Sequence, residues 1–145
     1  MRALAEMARV VVPDGTVAVQ LWSALDRQTG FRPLADAVAR HAGQDAVDLI
    51  GTYFRLGDPA ELRDLCDTAG LRVTQVRVTP ITLHAPSIDD YITTEVESTP
   101  LIARITDQTY RRIRDDARTG LAPFCTDTAE LAMPFEVYIA TAHRR

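Results

Sequence analysis

The sequence predicts an α/β fold in which helices alternate with the strands of one open sheet. Three segments predict it: a helix, turn and strand within residues 3–22, a helix and strand within 58–84, and a last strand at 135–142. Helices that separate strands in this order are typical of crossover connections between parallel neighbours. A chain of 145 residues is long enough for one core, so we expect a single domain over 1–145.

The first segment predicts a helix at about 3–11 and a strand at about 16–22. Apolar residues recur in the helix at the spacing of one stripe: Leu4, Met7, Ala8 and Val11. A Pro-Asp-Gly turn at 13–15 then ends the helix. In the strand, apolar residues occupy every second position: Val17, Val19 and Leu21. This alternation indicates a strand with one face toward the core.

The middle of the chain predicts two longer helices and a strand. Pro33 begins a helix at about 33–42, and an apolar segment at 45–50 offers one or two further turns. Asp58 is a good N-cap for a helix at about 59–69. A strand follows at about 71–84, and Pro80 within it requires a sheet edge or an interruption.

The C-terminal third predicts a helical hairpin before the last strand. Ser87 and Asp90 form a capping box for a helix at about 88–97. A Thr-Pro pair then predicts the start of a longer helix at about 100–118. The last strand, at about 135–142, alternates in the same way as the first.

Composition and motif spacing exclude several classes of function. The net charge is −4 and all 16 basic residues are arginines, so nucleic acid is not an expected partner. No apolar run reaches 18 residues and Cys66 and Cys125 form no CxxC pair, which predicts a cytoplasmic chain with no membrane span or zinc site. His41, His84 and His143 are dispersed and no Gly-x-Ser-x-Gly occurs, so we assign no catalytic or metal-binding residue.

Residues 4–22 nevertheless carry a recognisable pattern. They resemble the helix, turn and fifth strand of class I S-adenosylmethionine-dependent methyltransferases, in which Leu-x-Glu-x-x-Arg-Val precedes a Pro-Gly-Gly turn. The matching residues are Leu4, Glu6, Arg9, Val10, Pro13 and Gly15, and Asp14 replaces the first glycine. Residues 58–76 resemble the helix and sixth strand of the family, and residues 135–144 resemble its seventh strand.

The resemblance covers only the C-terminal half of that Rossmann-like methyltransferase fold. It implies that the last strand is antiparallel and central, and that residues 87–120 form a helical lid over the acceptor. The family binds its cofactor through a glycine-rich turn after strand one, and no Gly-x-Gly-x-Gly occurs here. We therefore assign no cofactor-binding residue and expect S-adenosylmethionine to bind only when an N-terminal half is supplied.

Five residues are predicted to line a small-molecule acceptor pocket. Trp22 ends the first strand, and the resemblance implies that this end faces the acceptor. The others are an aromatic pair, a strand-end histidine and a tyrosine of the lid: Tyr53, Phe54, His84 and Tyr91. An alternative for the aromatic pair is that it only covers an edge of the core.

The resemblance also implies an uncovered edge on the strand Thr16–Trp22, because strand four of the family would pair there. An apolar open edge invites another strand, so we expect a homodimer through this edge. Two functions follow from the sequence. The chain is either the substrate-side half of a small-molecule methyltransferase, inactive alone, or a non-catalytic dimeric module that binds small molecules or proteins.

Overall fold

A computed structural model describes residues 2–145 and shows a mixed α/β fold. Its helices and strands follow in this order: α1 (Arg2–Val10), β1 (Thr16–Trp22), α2 (Arg32–Ala42), α3 (Gln44–Ile50), α4 (Pro59–Thr68), β2 (Leu71–Ala85), α5 (Ile88–Glu97), α6 (Asp107–Leu121) and β3 (Leu131–Arg144). Short 3-10 turns connect some of them: Leu25–Arg27, Thr52–Phe54, Ile102–Arg104 and Ala122–Phe124.

The three strands form one sheet in the order β1-β3-β2. β3 is antiparallel to β1, with Thr16–Trp22 opposite residues 137–143. The amide of Arg145 donates to the carbonyl of Gly70 over 3.0 Å, which places the end of β3 beside the start of β2. β3 is thus antiparallel to both neighbours, and β1 and β2 run in the same direction. The prediction of a central, antiparallel last strand is confirmed.

The ladder between β1 and β3 determines which backbone groups of β1 face outward. The Ser23 amide donates to the Glu136 carbonyl (3.0 Å), and the Arg144 amide donates to the Gly15 carbonyl (3.4 Å). In an antiparallel pair, every second residue of a strand forms backbone hydrogen bonds with a given neighbour. Because Gly15 and Ser23 bond β3, the odd-numbered residues of β1 form the backbone hydrogen bonds with β3. Even-numbered residues direct their N–H and C=O groups to the other edge, where no strand pairs within residues 2–145.

The described chain divides into two compact units. The first contains residues 2–24, Phe54–Pro80 and Glu136–Arg145, and the second contains Leu25–Tyr53 and Ile81–Phe135. β2 and β3 each contribute residues to both units. A single domain over 1–145 stays a prediction.

The core of the first unit lies against one face of its strands. Its buried members come from α1, α4, β2 and β3: Leu4, Ala8, Leu62, Cys66, Leu71, Tyr138, Ala140 and Ala142. Val17, Val19 and Leu21 of β1 pack against this cluster, while Ala18 and Gln20 between them are exposed. The predicted alternation of β1 is therefore confirmed. Met7 of α1, predicted to face inward, is 38% exposed, because Leu4 and Ala8 define a narrower stripe than expected.

The second unit is mainly helical, and α2 and α6 pack against each other within it. Its buried residues include Leu34, Val38, Ile92, Ile113 and Leu121. No helix among the described residues has both the length and the apolar character that a membrane span requires.

The predicted helix at 100–118 is wrong at its start. The chain first makes a 3-10 turn at Ile102–Arg104, and α6 begins only after Thr106. The Thr106 hydroxyl accepts a hydrogen bond from the Thr109 amide over 3.2 Å, which satisfies one of the unpaired amides of the first turn. This cap lies seven residues after Thr99, where a Thr-Pro pair imitates a helix start.

β2 is one continuous strand at the edge of the described sheet, and Pro80 lies within it. The edge position expected for this proline is confirmed, since a proline cannot donate to a second neighbour. Val78 is 51% exposed, because the inward phase of the strand shifts between Val76 and Thr79.

The two cysteines are expected to react very differently with a thiol reagent. Cys66 is 1% exposed within the core of the first unit, and burial, with a smaller effect of Asp67, raises the pKa of its thiol. Cys125 is exposed. The thiolate is the reactive form of cysteine. Titration of the native chain with Ellman's reagent should therefore rapidly release one equivalent of the coloured thiolate per chain, from the reaction with Cys125. A Cys125→Ser variant should release its single equivalent only on unfolding, and rapid release from that variant would contradict the burial of Cys66.

Candidate functional site

Three polar side chains of the second unit meet beside α5. Tyr91 and Glu95 lie one turn apart on this helix, and positions i and i+4 share a face. Tyr53, in the turn that follows α3, donates its hydroxyl to the Glu95 carboxylate. The ring of Phe31 meets that of Tyr53 edge to face, with centroids 6.3 Å apart at 90°. We call Tyr53, Tyr91 and Glu95 the tyrosine–glutamate cluster.

Tyr91 is the anomalous member of this cluster. Its side chain is 3% exposed, and its buried hydroxyl has no hydrogen-bond partner among the described residues. A buried hydroxyl without a partner costs about 1–3 kcal/mol. A buried polar group without a protein partner calls for a specific explanation. Because this one lies beside a second tyrosine and a carboxylate, we take the cluster as the strongest candidate site.

Burial dominates the electrostatics of the cluster. It raises the pKa of both the Tyr53 and the Tyr91 hydroxyls, and the nearby Glu95 carboxylate raises the two values further. Burial also raises the pKa of Glu95, against the opposing hydrogen bond from Tyr53. Both phenols therefore stay protonated as donors beside one carboxylate. Together they can bind a hydroxyl or amine that donates to Glu95 and accepts from Tyr91.

Replacing Glu95 with glutamine should change how stability depends on pH. The folded state holds the Glu95 proton more tightly than the unfolded chain, because its pKa is raised above the ordinary 4.5. Between these two pKa values the folded state binds more protons, so the contribution of Glu95 to the unfolding free energy falls as pH rises. Glu95→Gln should thus gain stability relative to the unsubstituted chain as the pH rises above 4.5. Urea unfolding followed by circular dichroism measures this difference.

Glu97 provides the matched control on the same helix. Its carboxylate also accepts a tyrosine hydroxyl, from Tyr110 over 3.0 Å, but it is exposed. Glu97→Gln should show no comparable rise in relative stability with pH. Identical pH profiles for the two variants would rule out a special environment at Glu95.

The five residues predicted to line an acceptor pocket fall into both units. Trp22 and Phe54 lie in the first unit, where their rings are 6.2 Å apart in an edge-to-face arrangement. Tyr53 and Tyr91 lie in the second unit and belong to the tyrosine–glutamate cluster. His84 is exposed on β2 and makes no hydrogen bond or ion pair with the other described residues. A shared pocket for all five stays a prediction.

Sequence reasoning missed Glu95, although its spacing from Tyr91 was a usable signal. It also missed a cavity of about 560 Å³ between α2 and α6 in the second unit, which we call the α2–α6 cavity. Charged residues of both signs line it, among them Asp26, Arg32 and Arg40.

Among residues 2–145, no three His, Cys, Asp or Glu side chains lie close enough together to hold a metal ion.

Comparison with known proteins gives similarity only at the level of solved structures. No family model and no curated protein matches the chain. A solved structure of a candidate methyltransferase from Bacillus halodurans C-125 is similar, with 12% sequence identity and a TM-score of 0.47. The similarity covers 97% of this chain and 60% of the other. The chain therefore spans three fifths of the length of the protein that it matches.

Proposed function

We propose that this chain forms the acceptor-side part of an S-adenosylmethionine-dependent methyltransferase that acts on a small molecule. One observation carries the proposal: β1 and β2 run in parallel and flank the antiparallel β3. Strands five, seven and six have this order in the class I family that residues 4–22 resemble. A parallel pair with an antiparallel strand inserted between its members is a specific arrangement, because it requires both a long crossover and a long return.

The long return supports an acceptor-side role. Between β2 and β3 the chain forms α5 and α6, at the position where the resemblance implies a lid over the acceptor. α5 carries two members of the tyrosine–glutamate cluster, Tyr91 and Glu95. We assign this cluster to the polar group of the acceptor. Methyl transfer from a sulfonium requires mainly that the acceptor is held in line, which hydrogen bonds of this kind provide.

The described residues do not by themselves fit the cofactor. S-adenosylmethionine would require a strand that leads through a glycine-rich turn into the N-terminus of a helix. β1 leads into a 3-10 turn at Leu25–Arg27, and β2 leads into α5 through Ser87. We therefore assign no contact to the cofactor and derive no step through it. Its binding belongs, in our proposal, to another segment.

A methyl-transfer assay with two polypeptides tests the proposal. The chain is produced with and without a second polypeptide that carries strands one to four of a class I methyltransferase. Tritium from labelled S-adenosylmethionine should reach small hydroxyl or amine acceptors only when both are present. Transfer by the chain alone would contradict the assignment of the cofactor to another segment. A paired complex that binds the cofactor but methylates nothing in the acceptor panel would contradict the acceptor-side role.

We propose further that, in the isolated chain, the outer edge of β1 pairs with β1 of a second copy. The strand reads TVAVQLW and carries no charge or proline that would discourage pairing. Its even-numbered residues present N–H and C=O groups to that edge, as the ladder with β3 requires. Without a partner half, the chain would therefore form a homodimer. This state corresponds to the second function, a non-catalytic binding module.

Proline substitutions at two neighbouring positions should distinguish the outer edge of β1 from the edge that is hydrogen-bonded to β3. Ala18→Pro removes an amide that faces outward, so it should abolish the dimer and leave the fold intact. Val19→Pro, the matched control, removes an amide that bonds β3 and should destabilise the chain itself. Size-exclusion chromatography with light scattering measures the mass, and circular dichroism the fold. A dimer that survives Ala18→Pro, or an unsubstituted chain that is monomeric at micromolar concentration, would refute pairing through β1.

A further inference from the structure

The α2–α6 cavity has the size of a small-molecule site. Its volume of about 560 Å³ lies within the range of ligand pockets in proteins. Apolar side chains of α2 and of the turn after α6 form part of its wall, including Pro33, Ala37 and the ring of Phe124. The other side chains of the wall are polar and five of them are charged, so we expect charge to decide which ligand fits.

Two of the charged groups already satisfy each other. Asp116 accepts from Arg40 Nη1 over 2.5 Å and from His41 Nε2 over 2.7 Å, at the same carboxylate oxygen. These bonds, first that of His41 and then that of Arg40, lower the pKa of Asp116. Asp116 therefore stays ionised, and neither it nor Arg40 is available to pair with a ligand.

The remaining charges leave one carboxylate in excess. Arg32 Nε and Asp36 Oδ1 lie 3.8 Å apart on α2, so the charges of these two side chains compensate each other in a long ion pair. Asp26 lines the same cavity and has no ion pair among the described residues. The side chains that line the cavity thus include three carboxylates and two guanidinium groups, and in the described part of the chain the carboxylate without a paired cation is that of Asp26.

We propose that the α2–α6 cavity binds a small organic amine as its cation. The ammonium group pairs with Asp26, and the apolar body of the ligand packs against Phe124 and Pro33. An aromatic ring beside a bound ammonium adds a cation–π attraction. The site is distinct from the tyrosine–glutamate cluster, and amine binding does not depend on methyl transfer.

Tyramine and its neutral analogue tyrosol test the charge of the ligand. Both carry the same phenol and differ in having an ammonium or a hydroxyl group. In nuclear magnetic resonance titrations of the full chain at low salt, tyramine should shift amide signals of α2 and α6 and bind about fivefold more tightly than tyrosol. Raising the salt from about 20 mM to about 500 mM should remove most of this preference. Equal binding of the two, or no saturable shift with either, would overturn the proposal.

Two substitutions test the assigned counter-ion. Asp26→Asn should weaken tyramine binding about fivefold and leave tyrosol binding unchanged. Asp127→Asn makes the same change at another exposed aspartate of the second unit that does not line the cavity, and it should leave both unchanged. Equal losses in the two variants would refute Asp26 as counter-ion. Tighter binding of the carboxylate analogue 4-hydroxyphenylacetate would instead identify an anion site at Arg32 and overturn the proposal.

Discussion

Replacing Gly57 with alanine is expected to lower the free energy of unfolding by about 3 kcal/mol. A Cβ atom at this position would lie 2.3 Å from Cα and 2.4 Å from the backbone nitrogen of Ala24. Backbone atoms cannot rotate away as the end of a side chain can, so the connection that follows β1 would have to shift. Urea unfolding followed by circular dichroism measures the loss.

Gly70 provides the control for Gly57. It has a φ of +80° just after α4, and no atom lies within 4 Å of the position that an added methyl group would take, so alanine there meets conformational strain without a clash. Gly70→Ala should cost only about 1 kcal/mol. A loss at Gly57 no larger than that at Gly70 would contradict the close approach of the backbone at residues 24 and 57.

Truncating Leu62 to alanine is expected to destabilise the chain by about 2–5 kcal/mol. Leu62 is 2% exposed on α4 and belongs to the core cluster of the first unit. Its neighbours in that cluster include Cys66 and Tyr138, whose hydroxyl is anchored to the Leu56 carbonyl and has a pKa raised by burial to about 12. An anchored ring cannot move into the space that the leucine leaves, so we expect a cavity.

Leu65 is the matched control for Leu62. It lies on the same helix and only partly packs against the same cluster. Leu65→Ala should therefore lose less stability than Leu62→Ala in the same urea titration. The opposite order would mean that α4 packs on the sheet through a different face.

Helices with strong local caps were predictable from the sequence almost to the residue. For α4, Asp58 accepts from the Ala60 amide over 2.8 Å, and Pro59 occupies the first helical position. Both signals lie within three residues of the helix start, so no tertiary information is needed. α6 was misplaced because its Thr106 cap is a weaker signal than the Thr-Pro pair before it.

The candidate site was only partly predictable, because its residues are far apart in the chain. Tyr53 and Glu95 are 42 positions apart, and only the fold of the second unit brings them together. Tyr91 was predicted as a site residue from its place in the lid. Its unpartnered hydroxyl follows from packing, which no local pattern reports. The α2–α6 cavity likewise depends on tertiary contacts between two helices.

Both the methyltransferase proposal and the homodimer require that the outer edge of β1 can accept a strand. Amide hydrogen exchange in β1 tests this most directly, measured at concentrations below and above the dimerisation midpoint. In the dilute chain, the amides of Val17, Val19 and Leu21 should be protected and those of Ala18 and Gln20 should exchange rapidly. Ala18 and Gln20 should gain protection as copies or a partner half pair with β1. Equal protection of both sets in the dilute monomer would contradict an open edge, and with it both proposals.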